Sequence, residues 1–257
     1  MLPVALVAAA TLAAGALAGG HAPPTKSKGV LTAAIELGNP GFAQGTLRNA
    51  HGFDVDVAGA LARRMGLKVK LVDYPFGRLF LPGAKPYDVA LEFVTILPGR
   101  ARFVDFSVPY YSSTQGVLVA RDVTGPVTLA RLRKLQVCAK QVTTGFEYVQ
   151  DVLRPEGLVL EYATAGEALN ALTTGICDAF VFDLPVLAAA KRATPSRYGA
   201  LAGRLGPTER YGVVLPKGSK LRPAVSKAIA SLQRDGTIRR AAAASFGSTL
   251  ASVPVIR

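Results

Sequence analysis

The sequence predicts an α/β protein of two lobes joined by two chain crossings. Strand-like and helix-like segments alternate along the chain, the alternation restarts near residue 135, and extended apolar segments connect the two sets. Alternation of this kind favours a parallel or mixed sheet, since parallel neighbours need a crossover connection. A length of 257 residues suffices for two lobes of roughly 100 residues, each with a core of its own.

The first alternation combines short apolar strands with one well-marked helix. Asp54 is the expected N-cap of that helix, Val57, Leu61 and Met65 recur on one face, and Gly66 ends it. The predicted strands lie at 30–35, 67–71 and 87–94.

The second alternation repeats the pattern with two predicted capping boxes, at 144–147 and 164–167. A further helix follows Asp183, and a last amphipathic helix stops at 235–236. The predicted strands lie at 135–139, 158–162 and 178–182, and the crossing segments at 116–119 and 211–215.

The charge is strongly basic but dispersed. The chain has 30 Lys and Arg against 17 Asp and Glu, a formal net charge of +13. A nucleic-acid-binding protein concentrates such charge on one face or tail and carries a recognition motif, and neither pattern occurs here. We therefore expect a solvated basic surface and no nucleic-acid partner. The sequence also predicts no metal site and no cofactor, because it has only two Cys and two His.

The first 22 residues are uncharged apart from one His and almost wholly apolar over the first 20. This pattern predicts a cleaved signal peptide over 1–22 and an exported, periplasmic protein, although no Lys or Arg precedes the apolar run. A transmembrane anchor is the alternative, since about 20 apolar residues can span a bilayer.

Several motifs occur together and in order after residue 28. They are GFDVDVA (52–58), YDV (87–89), TILPGR (95–100), VDFSVPYY (104–111), Thr143-Thr144, DAFVFD (178–183), DGT (235–237) and FG (246–247). In this order the chain resembles the bacterial periplasmic amino-acid-binding proteins, the family 3 solute receptors of ABC importers. Each motif alone is a weak signal, and their combination is specific.

The resemblance implies a type II periplasmic-binding fold that closes on its ligand. Lobe 1 would comprise residues 29–113 and 212–257, lobe 2 residues 116–209, and the hinge the two crossings between them. It also implies a monomer that delivers an amino acid to the membrane permease of an ABC transporter.

Matching positions give the expected ligand contacts. Arg100 corresponds to the clamp of the ligand carboxylate, and its planar fork suits a bidentate contact. Thr95, Thr144 and the N–H of Gly145 would supply further donors, the latter pair at a helix start. Asp183 matches the carboxylate that takes the ligand ammonium. Thr144 and Asp183 also have a simpler interpretation as helix caps.

Other positions bear on the ligand side chain. Phe76 corresponds to the aromatic residue that stacks on the ligand, although an aromatic there could equally be core. Glu36 and Lys140 would bracket the side chain and favour a polar ligand, or they would pair with each other. Glu92 and Phe93 replace small residues before Thr95, and these replacements would narrow the pocket or change its polarity.

Cys138 and Cys177 fall on predicted strands that the family's sheet order would place side by side. Export would permit a disulfide bond between them, and two buried free thiols are the alternative.

Two other functions remain open at this point. The same fold carries exported cyclohexadienyl dehydratases, whose catalysis needs a general acid, and Glu36 and Glu92 are the candidates. A ligand-sensing module of a signalling receptor is the third class. The presence of Asp183, at the position of the family's partner for the ligand ammonium, favours the non-catalytic receptor. No catalytic residue is expected for a receptor of this kind.

Overall fold

The computed structural model describes residues 23–247 and 249–257. The predicted signal peptide at 1–22 lies outside the described residues. Among the helices of the described part, none is long and apolar enough to cross a membrane.

Strands and helices alternate through most of the chain. The strands are β1 (Val30–Ile35), β2 (Lys68–Asp73), β3 (Val89–Ala90), β4 (Val104–Val119), β5 (Val137–Lys140), β6 (Leu160–Tyr162), β7 (Ala179–Asp183) and β8 (Leu201–Pro216). The helices are α1 (Phe53–Arg64), α2 (Leu129–Leu132), α3 (Thr144–Tyr148), α4 (Ala165–Thr173), α5 (Leu184–Ala193), α6 (Arg222–Arg234) and α7 (Thr237–Phe246).

The eight strands of the described residues form one mixed sheet in the order β2-β1-β3-β8-β4-β7-β5-β6. Strands β1–β3, the N-terminal strand group, pair in parallel at one end, and β5–β7, the central strand group, pair in parallel at the other. Between the groups, β4 and β8 pair antiparallel along most of their 16 residues each. The two predicted crossings are therefore one two-stranded ribbon that links the groups.

The lobe boundaries inferred from the family stay a prediction. In the described part of the chain, each strand group contains strands that are close in sequence, and β4 and β8 lie between the groups.

Several predicted elements are confirmed, and others need correction. β1 has the predicted bounds, and the capping box that begins α4 at Thr164 is present. The strand predicted at 87–94 shrinks to Val89–Ala90, since the chain leaves the ladder there to form the loop that carries Glu92 to Arg100. Helix α7, beyond the predicted last helix, was not anticipated.

Two predicted caps are wrong. Gly52 is the N-cap of α1, and Asp54 lies inside the helix, 1% exposed, where its carboxylate accepts from the Tyr110 hydroxyl and the Phe93 N–H. In α3 the capping side chain is Thr143, which accepts from the N–H of Phe146, so Thr144 is the first helical residue.

The two cysteines form a disulfide bond with their Cα atoms 5.9 Å apart. Cys138 lies in β5, whereas Cys177 lies in the turn before β7 rather than in a strand. The bond ties β5 to the end of the α4 segment inside the core.

Candidate functional site

The candidate site lies where the two strand groups face each other. Glu36 follows β1 and Thr95 follows β3, both from the N-terminal strand group. Lys140 and Asp183 end β5 and β7 of the central strand group. Parallel strands present their carboxyl ends at one edge of a sheet, where ligands of open α/β folds bind.

Glu36 and Lys140 form an ion pair across the two strand groups. The Lys140 side chain is 2% exposed and that of Glu36 is 11% exposed. Glu36 also accepts from the backbone N–H of Phe76 at 3.0 Å and from the Asn39 amide at 3.0 Å. Of the two interpretations of these residues, direct pairing is therefore the one present in the structure.

Phe76 lies beneath two cations. The Lys140 Nζ atom is 5.0 Å from its ring centroid and the Arg100 guanidinium carbon 5.4 Å. The ring also packs in a core cluster with residues such as Leu79 and Tyr87. Phe76 thus joins the core and forms an apolar, electron-rich face under the cationic part of the site.

Arg100 reaches from the N-terminal side to the central side. Its guanidinium donates to the Thr95 carbonyl at 3.3 Å and to the Val142 carbonyl at 3.1 Å. Burial lowers the pKa of Arg100, and the nearby carboxylates of Glu147, Glu209 and Asp183 act in the opposite direction. The side chain remains a cation at neutral pH, since the guanidinium group is not deprotonated in proteins.

Glu209, on β8, holds donors from three parts of the site. Its carboxylate accepts from the Thr95 hydroxyl at 2.5 Å, from the Thr144 hydroxyl at 2.8 Å and from the Gln115 amide at 3.0 Å. Gln115 lies on β4, so this carboxylate connects both strand groups to the linking ribbon. A cavity of about 280 Å³ opens beside it.

Gly145 places the start of α3 against the ribbon. A Cβ at this position would approach the Gln115 Oε1 atom to 2.6 Å, so only glycine permits this contact without displacement. The helix has only five residues. Its first N–H groups therefore contribute through their position at the site rather than through a long helix dipole.

Asp183 is buried, 4% exposed, and accepts a hydrogen bond from the Tyr211 hydroxyl. The pKa of Asp183 is raised to about 7, chiefly by burial and also by Glu209, while Tyr211 and Arg100 act in the opposite direction. Asp183 precedes α5 but makes no side-chain capping bond there. Capping therefore does not explain this carboxylate.

Phe93 lies in an aromatic cluster rather than alone on a pocket wall. Its ring centroid is 4.4 Å from that of Phe42 and 5.9 Å from that of Phe182, which belongs to the central strand group. Its φ of 41° is in the left-handed region, unusual for an aromatic residue. Phe93 thus makes an apolar contact between the N-terminal and the central strand groups.

Glu92 is 1% exposed, and both of its carboxyl oxygens lack a hydrogen-bond partner among the described residues. Burial raises the pKa of Glu92 well above its usual value, Glu36 raises it further, and Lys140 lowers it. Buried polar atoms normally have partners, so this carboxyl stands out from its surroundings.

Sequence reasoning missed Glu209, Gln115 and Tyr211 as members of the site. Their signal was weak, since each lies inside a long strand whose only visible property was its apolar, extended character. The sequence offered one indication: all three residues lie in a predicted crossing or within two residues of one.

The described residues contain no group of three or more His, Cys, Asp or Glu that could hold a metal ion. A larger cavity of about 860 Å³ lies elsewhere, lined by residues such as Arg121, Asn170 and Arg197. It contains none of the buried charged groups described above, so the strand-group boundary is the better candidate.

The fold is that of the type II periplasmic binding proteins, as solved relatives show. The structure described as an ancestral arginine-binding protein bound to glutamine superposes with a TM-score of 0.78 at 28% identity, covering 86% of this chain and 100% of that one. A second, the ancestral amino-acid-binding protein AncCDT-1, described as a precursor of cyclohexadienyl dehydratase, has a TM-score of 0.73 at 26% identity, with 85% and 95% covered.

Residues 31–248 match the model of the bacterial extracellular solute-binding proteins, family 3, and the chain belongs to this family. The L-cystine-binding protein TcyJ of Escherichia coli K12 is 30% identical over 230 residues, which are 87% of this chain and 85% of that protein. Each of these relatives is named as an amino-acid- or cystine-binding protein.

Proposed function

We propose that this protein is an extracytoplasmic receptor that captures a polar amino acid between two lobes and delivers it to the permease of an ABC transporter. Family membership and the binding proteins among its relatives support the receptor class. The observation that carries the site is the opposition of Arg100 and Asp183, a cation from one strand group and a buried carboxyl from the other.

A zwitterion suits this opposition chemically. Its carboxylate would take the Arg100 fork together with the N–H groups that begin α3, and its ammonium would take Asp183. Arg100 now donates to two carbonyl oxygens, which are weaker partners than a carboxylate. Asp183 has one hydroxyl donor, and an ammonium would stabilise its charged form.

Closure follows from the same arrangement. Groups of both strand groups contact the ligand together only when they approach, so ligand binding favours the closed arrangement in proportion to that difference in affinity. The β4–β8 ribbon near Gln115 and Glu209 is the proposed hinge. The lobe boundaries, the cleaved signal peptide, the periplasmic location and the monomeric state belong to the same proposal.

The dehydratase hypothesis rests on Glu92, a buried acid that could hold a proton. It makes a different prediction for the product, because a dehydratase changes its ligand and a receptor releases it unaltered. Incubation with prephenate and arogenate followed by mass spectrometry separates the two.

The decisive experiment compares Arg100→Ala with Arg102→Ala. Both residues belong to one short 3₁₀ segment, Arg100–Arg102, and Arg102 is exposed. Thermal scanning of the wild-type protein against the twenty amino acids identifies a ligand, since binding to the folded state raises the melting temperature.

Calorimetry with that ligand should show a loss of about 2–5 kcal/mol in Arg100→Ala and wild-type affinity in Arg102→Ala. Equal affinity in a folded Arg100→Ala protein would remove Arg100 from the site. No stabilisation by any amino acid would overturn the proposed function itself.

A further inference from the structure

Glu36 and Glu92 both follow the carboxyl ends of two paired strands, β1 and β3. In the β1–β3 ladder Ala33 is opposite Val89 and Ala34 opposite Ala90. The Leu91 N–H donates to the Ala34 carbonyl at 2.9 Å, which completes the pairing of Ala34 with Ala90. Glu36 and Glu92 each lie two residues beyond this last pair, so both follow the ladder at the same edge of the sheet, and the Glu36 carboxylate is near enough to raise the pKa of Glu92.

The two carboxyls have unequal surroundings. Glu36 has the Lys140 ammonium, the Asn39 amide and the Phe76 N–H. Glu92 has none of these, although it is at least as buried. Within the described residues, the cluster therefore contains one ammonium for two adjacent carboxyl groups.

Among the described residues, the groups around Glu92 add no second cation. The charged and titratable groups that interact with it are Glu36 after β1, Lys140 at the end of β5, Asp54 in α1, Asp73 at the end of β2, Tyr87 before β3 and Tyr110 in β4. Apart from Lys140, all of these are acids or phenols. The Tyr87 hydroxyl is likewise buried without a partner among the described residues.

We propose that Glu92 is the specificity-determining residue for a cationic ligand side chain, a guanidinium or an ammonium, which supplies the second positive charge of the Glu36–Lys140–Glu92 cluster. This inference rests on the proposed function and names the ligand class of the same site. Two adjacent carboxylates with one cation are unfavourable in a buried setting, and a second cation balances them.

The proton balance follows directly. In this proposal Glu92 holds a proton when no ligand is bound, since burial and the Glu36 carboxylate both raise its pKa. When a cationic side chain binds, the O–H bond of Glu92 breaks and the proton passes to the buffer, while the carboxylate pairs with the ligand cation. A ligand with a neutral side chain leaves this proton in place.

Arginine and citrulline form a matched pair of probes, since they have similar shape and only arginine has a charged side chain. Calorimetry of each probe at pH 7, in two buffers of different ionisation enthalpy, gives affinity and the number of protons released. The wild-type protein should bind arginine more tightly than citrulline. It should also release close to one more proton with arginine than with citrulline, because the ammonium of either probe displaces the proton that Asp183 partly holds at this pH.

Glu92→Gln keeps the shape of a protonated carboxyl, so its fold should be preserved. The variant should lose roughly 10–100-fold in arginine affinity, keep its citrulline affinity and release equal numbers of protons with the two probes. Glu161→Gln, a change at an exposed position in β6, is the control and should behave as the wild type.

Preference for citrulline or another neutral amino acid in the wild type would overturn this inference and leave the receptor function standing. An unchanged ratio of arginine affinity to citrulline affinity in folded Glu92→Gln would also overturn it. So would equal proton release with both probes in the wild-type protein. Failure of every amino acid to bind would overturn both the proposed function and this inference.

Discussion

The Tyr211 hydroxyl donates a hydrogen bond to the Asp183 carboxyl, and so connects the middle of β8 to the end of β7. Both side chains are buried, at 0% and 4% exposure. Asp183 thus has a neutral donor that satisfies it in the absence of a ligand. An incoming ammonium would meet a carboxyl that is already oriented and whose pKa burial has raised to about 7.

We expect Asp183→Asn to weaken binding of α-amino ligands far more than binding of their des-amino analogues. The amide cannot form the charged pair with an ammonium, and the loss should be about 2–5 kcal/mol. Calorimetry with an amino acid and its des-amino analogue measures the difference. Asp122→Asn, at an exposed position, is the control, and equal weakening of both ligands would assign Asp183 a structural role.

The stability of the ligand-free protein should fall as pH rises from about 4 to about 7. Burial raises the pKa of Asp54 to about 7, and the same holds for Asp183. Each folded-state pKa lies above the unfolded value, so the folded state binds more protons in this window and loses stability as they dissociate. For each carboxyl, a tenfold difference in proton affinity between the folded and unfolded states corresponds to about 1.4 kcal/mol.

Urea unfolding at pH 4.5 and pH 7.5 measures this dependence, and Asp54→Asn should reduce the difference between the two values. The comparison uses the slope with pH, because the substitution itself also disturbs the contacts to Tyr110 and Phe93. A variant with the full wild-type slope would show that Asp54 does not titrate in this window.

Glu209→Ala should open the ligand-free protein. The Glu209 carboxylate accepts from Thr95 and from Thr144, residues of the two strand groups, and hydrogen bonds to charged groups contribute about 1.5–3 kcal/mol each. Small-angle scattering should show a larger radius of gyration than for the wild type. Glu147→Ala is the matched control, since Glu147 lines the same cavity but is exposed; an identical radius in both variants would contradict the prediction.

Removal of the disulfide by Cys138→Ala with Cys177→Ala should cost about 3–4 kcal/mol of stability. The bond spans a sequence separation of 39 residues and so restricts a long loop of the unfolded chain. Thermal unfolding with and without reductant measures the effect, and thiol titration of the denatured wild-type protein should find no free thiol before reduction. Two titratable thiols in the untreated protein would show that the bond is absent.

The parts of the fold that the sequence predicts correctly are those with a local sequence signal. The apolar run of β1 and the Thr164 capping box are local signals, and both elements lie where they were predicted. The strand at 87–94 was wrong in extent, because its apolar residues pack in a loop rather than in the ladder. The role of Asp54 was also misjudged, since a carboxyl near a helix start has the same local signal whether it caps the helix or enters the core.

Some residues of the candidate site could likewise be predicted from the sequence, and others could not. Motif order identified Arg100, Thr95 and Asp183 as candidates, and the structure brings them to one boundary. The Glu36–Lys140 pair was one of two open interpretations, because residues 104 positions apart meet only through the sheet. Glu209 was missed, since its importance depends on three hydrogen-bond donors that lie far from it in sequence.

The position of β8 has a consequence for biosynthesis. β8 lies between β3 and β4 and is completed only at Pro216. A nascent chain that has not reached this point has two strands with exposed edges, and such edges promote pairing with other chains. The sheet therefore cannot be completed before the chain has been made as far as Pro216, and a fragment that ends before β8 should aggregate rather than fold.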